Sequence, residues 1–137
     1  MDLNAYTRTI STLFSTNVKY IVPRFQREYS WTKEEITELW YDIINNLKFD
    51  QNNLINLEYF IGSLVLIGED KSTSLLIVDG QQRLTTITIF LSALVQTFNN
   101  IGENDLAEGI YQTYIEGKDV TNKPFFKLEI ENPKPFL

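Results

Sequence analysis

Leu75-Leu76-Ile77-Val78-Asp79-Gly80-Gln81-Gln82-Arg83-Leu84 is an apolar run that stops at a polar, glycine-containing turn and restarts with helical spacing. A Leu/Ile/Val run ending in Asp-Gly reads as a buried strand. Beyond it Leu84, Ile87, Leu91, Leu94 and Phe98 recur at intervals of three and four, one face of an α-helix. Asp79 to Arg83 therefore lies on a strand-to-helix turn, where glycine lets the backbone bend and approach a neighbour closely. The first N–H groups of such a helix have no partner inside it and carry the positive end of its dipole. With Arg83 beside them, the turn suits an anion, a phosphate above all. Folding needs alone explain part of the same run. Asp79 can be the helix N-cap, with Gln82 three residues later closing a capping box. Gln81 and Arg83 are left over by that account.

Outward from this turn, β-rich runs at Tyr59–Ile67 and Thr73–Val78 flank the turn-forming Gly68-Glu69-Asp70-Lys71-Ser72. They predict an antiparallel hairpin. The helix after Arg83 is apolar on nearly all sides, Ile89 and Phe90 included, and is expected in the core. Nearer the N-terminus, Leu3, Tyr6, Ile10, Leu13 and Phe14 mark a first helix, and Val18–Val22 a short strand stopped by Pro23. Thr32 and Glu35 make a capping box, Trp31 and Ile36 are placed as a hydrophobic staple, and Ile36, Leu39, Trp40, Ile43, Ile44 and Leu47 continue as an apolar stripe. The Asn- and Asp-rich residues 50–56 read as a loop, residues 105–116 as a further helix, and 124–130 as a strand.

Composition narrows the chemistry. At 137 residues and 43% hydrophobic, the chain can build one domain with a real core. It has no cysteine, which excludes disulfides and thiolate metal sites and suits a cytoplasmic protein. Nor does it have histidine, so a histidine-dependent nuclease centre cannot be built from this chain. No segment approaches a membrane span. The net charge of −6 argues against a broad grip on nucleic acid. The charge is uneven, however. Residues 1–33 hold five basic side chains (Arg8, Lys19, Arg24, Arg27, Lys33) against Asp2 and Glu28, whereas residues 34–70 hold one lysine against eight acids.

The basic third contains a second dense cluster, Pro23-Arg24-Phe25-Gln26-Arg27-Glu28-Tyr29-Ser30-Trp31, between a strand and a capped helix. Arg24 or Arg27 has the geometry to hold a phosphate bidentately, and Tyr29 or Trp31 to stack on a base. The plainer account makes Trp31 and Tyr29 core or staple residues and leaves the arginines in solvent.

The order Ile21-Val-Pro-Arg-Phe-Gln-Arg-Glu-Tyr-Ser-Trp31, then Phe60-Ile-Gly-Ser63, then Val78-Asp-Gly-Gln-Gln-Arg83-Leu-Thr-Thr resembles the N-terminal domain of GmrSD-type restriction proteins. The hallmark of that family is the Asp-Gly-Gln-Gln-Arg run. The resemblance implies an α+β, ParB/sulfiredoxin-like fold: a small mixed sheet with a β-hairpin, packed against several helices. It implies a single ParB-like nucleotide-binding domain over 1–137, with its motif-bearing core at about 5–100, cut from a longer protein. By position, Gln26, Arg27, Tyr29, Gly62, Ser63, Gly80, Gln81, Gln82 and Arg83 become candidate nucleotide contacts. Asp79, Gln81, Gln82 and Arg83 become the candidate catalytic set, with Asp79 the candidate ligand of Mg²⁺ brought with a nucleoside triphosphate.

The function implied is a triphosphate-binding, and by resemblance triphosphate-hydrolysing, regulatory domain of a phage-defence protein. No general base is evident for the hydrolysis. An HNH-type nuclease domain or subunit, absent from this chain, would do the cutting, and DNA would be met only through the full-length assembly. The alternative is a non-catalytic DNA- or protein-binding module of the same fold.

Overall fold

The computed structural model describes residues 8–23, 29–56, 63–68 and 73–131. Gln26, Arg27 and Gly62 lie outside the described residues, as do Leu3 and Tyr6 of the expected first helix. Element order is α1 (Ile10–Ser15), β1 (Lys19–Val22), α2 (Lys33–Asn45), β2 (Leu47–Asp50), β3 (Asn53–Asn56), β4 (Val65–Ile67), β5 (Ser74–Asp79), α3 (Gln81–Asn100) and α4 (Asn104–Ile110). A π-helical turn at Tyr111–Ile115, β6 (Glu116–Lys118), β7 (Pro124–Phe126) and β8 (Leu128–Ile130) follow. The fold is mixed α+β.

A four-stranded sheet of order β4-β5-β1-β8 organises the described residues. β4 pairs antiparallel with β5, the expected hairpin, whereas β1 pairs parallel with both β5 and β8. The pleat explains which side chains go inside. Along β1 Tyr20 and Val22 are buried while their neighbours are only partly so, and on β5 Ile77 is fully buried. Against that face pack Phe14 of α1, Leu39 of α2, and Leu84 and Ile87 of α3, which together form the core. Phe14 meets the Tyr20 ring edge-on at 6.5 Å.

Several expectations need correcting. Residues 50–56 are not a loop: β2 and β3 pair antiparallel through Gln51-Asn52, whose φ values of 51° and 70° are those of a primed two-residue hairpin turn. Asparagine tolerates that backbone, so the Asn-rich composition marks the turn and not an unstructured span. Leu47 consequently belongs to β2, beyond the end of α2. On α3, burial stops early. Ile89 and Leu94 stay 48% and 43% exposed, so the helix is core at its first turns and amphipathic beyond. The strand expected over 124–130 is split at Lys127, β7 pairing with β6 and β8 with β1.

Lys127 causes the split. Its backbone N–H donates to Ile115 O (2.9 Å) and its carbonyl accepts from Tyr20 N–H (2.6 Å). The side chain is buried, and its ammonium donates to Phe14 O (2.7 Å) and Thr113 O (2.6 Å). Two carbonyls near helix ends thereby gain a donor. Burial lowers the Lys127 pKa from the ordinary lysine value.

Replacing Lys127 by Met should cost about 2–4 kcal/mol in urea unfolding, because two inward carbonyls lose their donor. The pH sign follows from the lowered pKa. Between the folded pKa and the ordinary lysine range the unfolded chain binds more protons, so this group's contribution to stability rises with pH. The gap between wild type and Lys127→Met should widen from neutral to alkaline pH.

Candidate functional site

Where β5 gives way to α3, the chain turns at Gly80, with φ 96° and ψ 7°. That left-handed backbone favours glycine, and a Cβ here would collide with the Leu64 side chain and lie 3.2 Å from Ser63 O. Gly80, and not Asp79, is therefore the N-cap, and no side chain caps the helix. Asp79 remains the exposed last residue of β5, opposite Val65. The capping box expected from Asp79 and Gln82 does not form. The first intrahelical bond runs from Leu84 N–H to Gly80 O (3.1 Å), so the N–H groups of the residues ahead of it point out of the helix start.

Gln82 has another task. Its Oε1 accepts from the backbone N–H of Ser30 (3.0 Å) and of Trp31 (3.3 Å), some fifty residues away in sequence. One turn later the Thr86 hydroxyl donates to Gln82 O at 2.8 Å. It also lies 2.8 Å from the Tyr29 hydroxyl. A threonine hydroxyl has a single proton, so with that proton on Gln82 O it is Tyr29 that donates to Thr86 Oγ1. Thr86 is fully buried, and both its hydrogen-bonding functions are used.

The turn that carries Asp79–Arg83 thus meets two other motif-bearing segments. Ser63 lies against Gly80, and Tyr29–Trp31 is tied to Gln82 and Thr86. Of the candidate contacts, Tyr29, Ser63, Gly80 and Gln82 are brought together, with Gln81 and Arg83 adjoining them on the first turn of α3. Arg83 is partly buried and has no ion-pair partner among the described residues.

Thr86 and Leu64 were missed by sequence reasoning. The signal for Thr86 was a hydroxyl at the fourth residue after Gln82, on the apolar face of the helix, where a buried polar group must find partners.

Among the described residues no group of three or more acidic side chains gathers to hold a metal. Asp79 offers one exposed carboxylate, which fits a Mg²⁺ ion that keeps most of its ligands on phosphates and water and not an all-protein cage. Two grooves among the described residues lie along the C-terminal half of α3. The larger, about 430 Å³, is lined by Val95, Asn99, Asn104, Ala107, Glu108 and Tyr111 and does not touch Asp79–Arg83.

Directly after the tied loop, Thr32 begins α2, and Glu35 reaches back to accept from Thr32 N–H (2.8 Å) and from the Thr32 hydroxyl. The expected capping box is present. The Thr32 bond, first of all, holds the Glu35 carboxyl below its ordinary pKa. A lowered carboxylate pKa contributes stability above the ordinary Glu range, and that contribution is lost as pH falls through the folded value. Thr32→Ala should cost about 1 kcal/mol in urea unfolding at unchanged slope. Glu35→Gln should flatten the acid limb of the stability profile.

A family model described as the N-terminal domain of GmrSD restriction endonuclease matches residues 10–136. No curated protein matches the chain. The family match runs well past the motif-bearing core expected at about 5–100 and takes in α4, the π-helical turn and β6 to β8. By a match over nearly its whole length, the chain belongs to the family of GmrSD restriction endonuclease N-terminal domains.

Proposed function

We propose that this restriction-protein domain binds a nucleoside triphosphate at the start of α3 and regulates a nuclease domain elsewhere in the assembly. One observation carries the reading. Segments far apart in sequence, at Tyr29–Trp31, Ser63 and Gly80–Arg83, converge on one helix N-terminus. A helix start with outward N–H groups, a neighbouring arginine and a loop arriving from a basic stretch is suited to phosphate. Arg83 would meet the phosphates from the helix side, and Arg27 would be the second cationic contact. Mg²⁺ carried with the nucleotide, held by Asp79 directly or through water, would neutralise part of the phosphate charge. Gln81 is the side chain of the turn left to orient a water, because the Gln82 oxygen is already held by the loop. The chain holds no histidine to serve as the general base of hydrolysis. The ParB/sulfiredoxin-like grouping belongs to this proposal and accords with a helix start placed beside a small mixed sheet.

Calorimetry with each Mg²⁺–ribonucleoside triphosphate tests the reading. Arg83→Ala should remove a charge-assisted contact of about 1.5–3 kcal/mol, which is roughly tenfold to over a hundredfold in affinity. Arg27→Ala should weaken the same ligand. Equal affinity for wild type and both variants would sink the idea that the two motifs make one site.

This chain on its own should not cut DNA, because it holds no histidine for an HNH-type centre. A nicking assay on supercoiled plasmid with Mg²⁺ checks this, and robust cleavage by purified protein refutes it.

A further inference from the structure

Both lone-pair positions of the Gln82 amide oxygen face backbone N–H groups of the Tyr29–Trp31 loop, and Thr86 binds the same loop through the Tyr29 hydroxyl. We infer that Gln82, through its amide oxygen, forms with Thr86 and Tyr29 a positioning latch that fixes the loop against the helix start. This deepens the triphosphate-binding reading and rests on it.

The two bridges lie one turn apart on α3, so they resist both sliding and rotation of the loop relative to the helix. Neither bridge is needed to cap α3, whose N-cap is the Gly80 backbone. Nor do they supply the cap of α2, which Thr32 and Glu35 form between themselves. Thr86 gives up a buried position on the core face of the helix to this contact, although an apolar residue there would pack without needing partners. What the latch does is set distance and angle between the loop and the N–H groups at Gly80–Arg83. Misplacing one contact relative to another by an ångström weakens every charge-assisted bond that depends on both.

The test uses the whole chain with the four Mg²⁺–ribonucleoside triphosphates in parallel. Tyr29→Phe and Thr86→Val should each weaken binding about threefold to tenfold, and the double variant should be no weaker than the poorer single one, because both break one bridge. Gln82→Met removes the acceptor at similar size and should weaken binding comparably. Trp31 supplies a second readout. In a Trp40→Phe background, saturating nucleotide should shift Trp31 emission, and Gln82→Met should abolish that shift even at saturation.

Three results overturn the inference, each differently. If Gln82→Met loses far more affinity than the Tyr29→Phe, Thr86→Val double variant while saturating nucleotide still shifts Trp31 emission, the side chain is a direct phosphate contact. If wild type binds and Tyr29→Phe, Thr86→Val and Gln82→Met lower only the melting temperature, the bridges merely hold the fold together. If wild type binds no triphosphate, the nucleotide-binding reading itself fails and the latch has nothing to position.

Discussion

The left-handed backbone at Gly80 is the constraint on which the site depends. It turns the chain from the end of β5 into the axis of α3 within one residue, and its φ of 96° strains any side chain there, which would also have to displace Leu64. Because the N-cap is a glycine without a capping group, the polar side chains on both sides are released from closing the helix. Asp79 stays exposed at the strand end, and Gln82 is available to reach the neighbouring loop. Had Asp79 capped the helix and Gln82 closed a box with it, both would have been committed within their own turn. The loop at Tyr29–Trp31 would then have lost its tie to Gln82.

The strand-to-helix turn, the β4–β5 hairpin, the short strand at β1 and the capped start of α2 were all legible in the sequence, since each rests on local periodicity or local hydrogen bonding. Burial along α3 was not legible, because apolar residues on every side say nothing about how far the neighbouring elements reach. Ile89 and Leu94 are exposed for want of cover, not for want of hydrophobicity. Lys127 was equally hidden. Its place among apolar neighbours in an alternating run gives no hint that two carbonyls from distant helical segments would converge on it. For the candidate site, the motif spelling marked residues that the fold brings together but suggested the wrong bonds between them. Gln82 pairs across the fold and not along its own turn, and Thr86 became visible only once its partners were placed.

Charge is unevenly spread over this acidic domain. The acidic stretch that follows the basic third includes Glu34 and Glu38, which are exposed on α2. An acidic exterior repels free polyanions such as duplex DNA at long range, whereas a local cation acts on a small anion at short range. DNA contact by this domain alone is therefore disfavoured.

Strand β1, third in the sheet order, has a consequence for how the chain is made. One of its neighbours is β5, but the other is β8, more than a hundred residues later in the chain, and Lys127 bonds Phe14 across a separation of 113 residues. During synthesis, every motif residue emerges while β1 still presents an unpaired edge and the Phe14 carbonyl still lacks its ammonium donor. Such long-range closure is slow and leaves strand edges exposed in the meantime. The hallmark turn is therefore complete as sequence well before it is complete as structure. Its stability is withheld until β8 has left the ribosome, so a nascent chain still short of β8 has the motif without the fold that gives it shape.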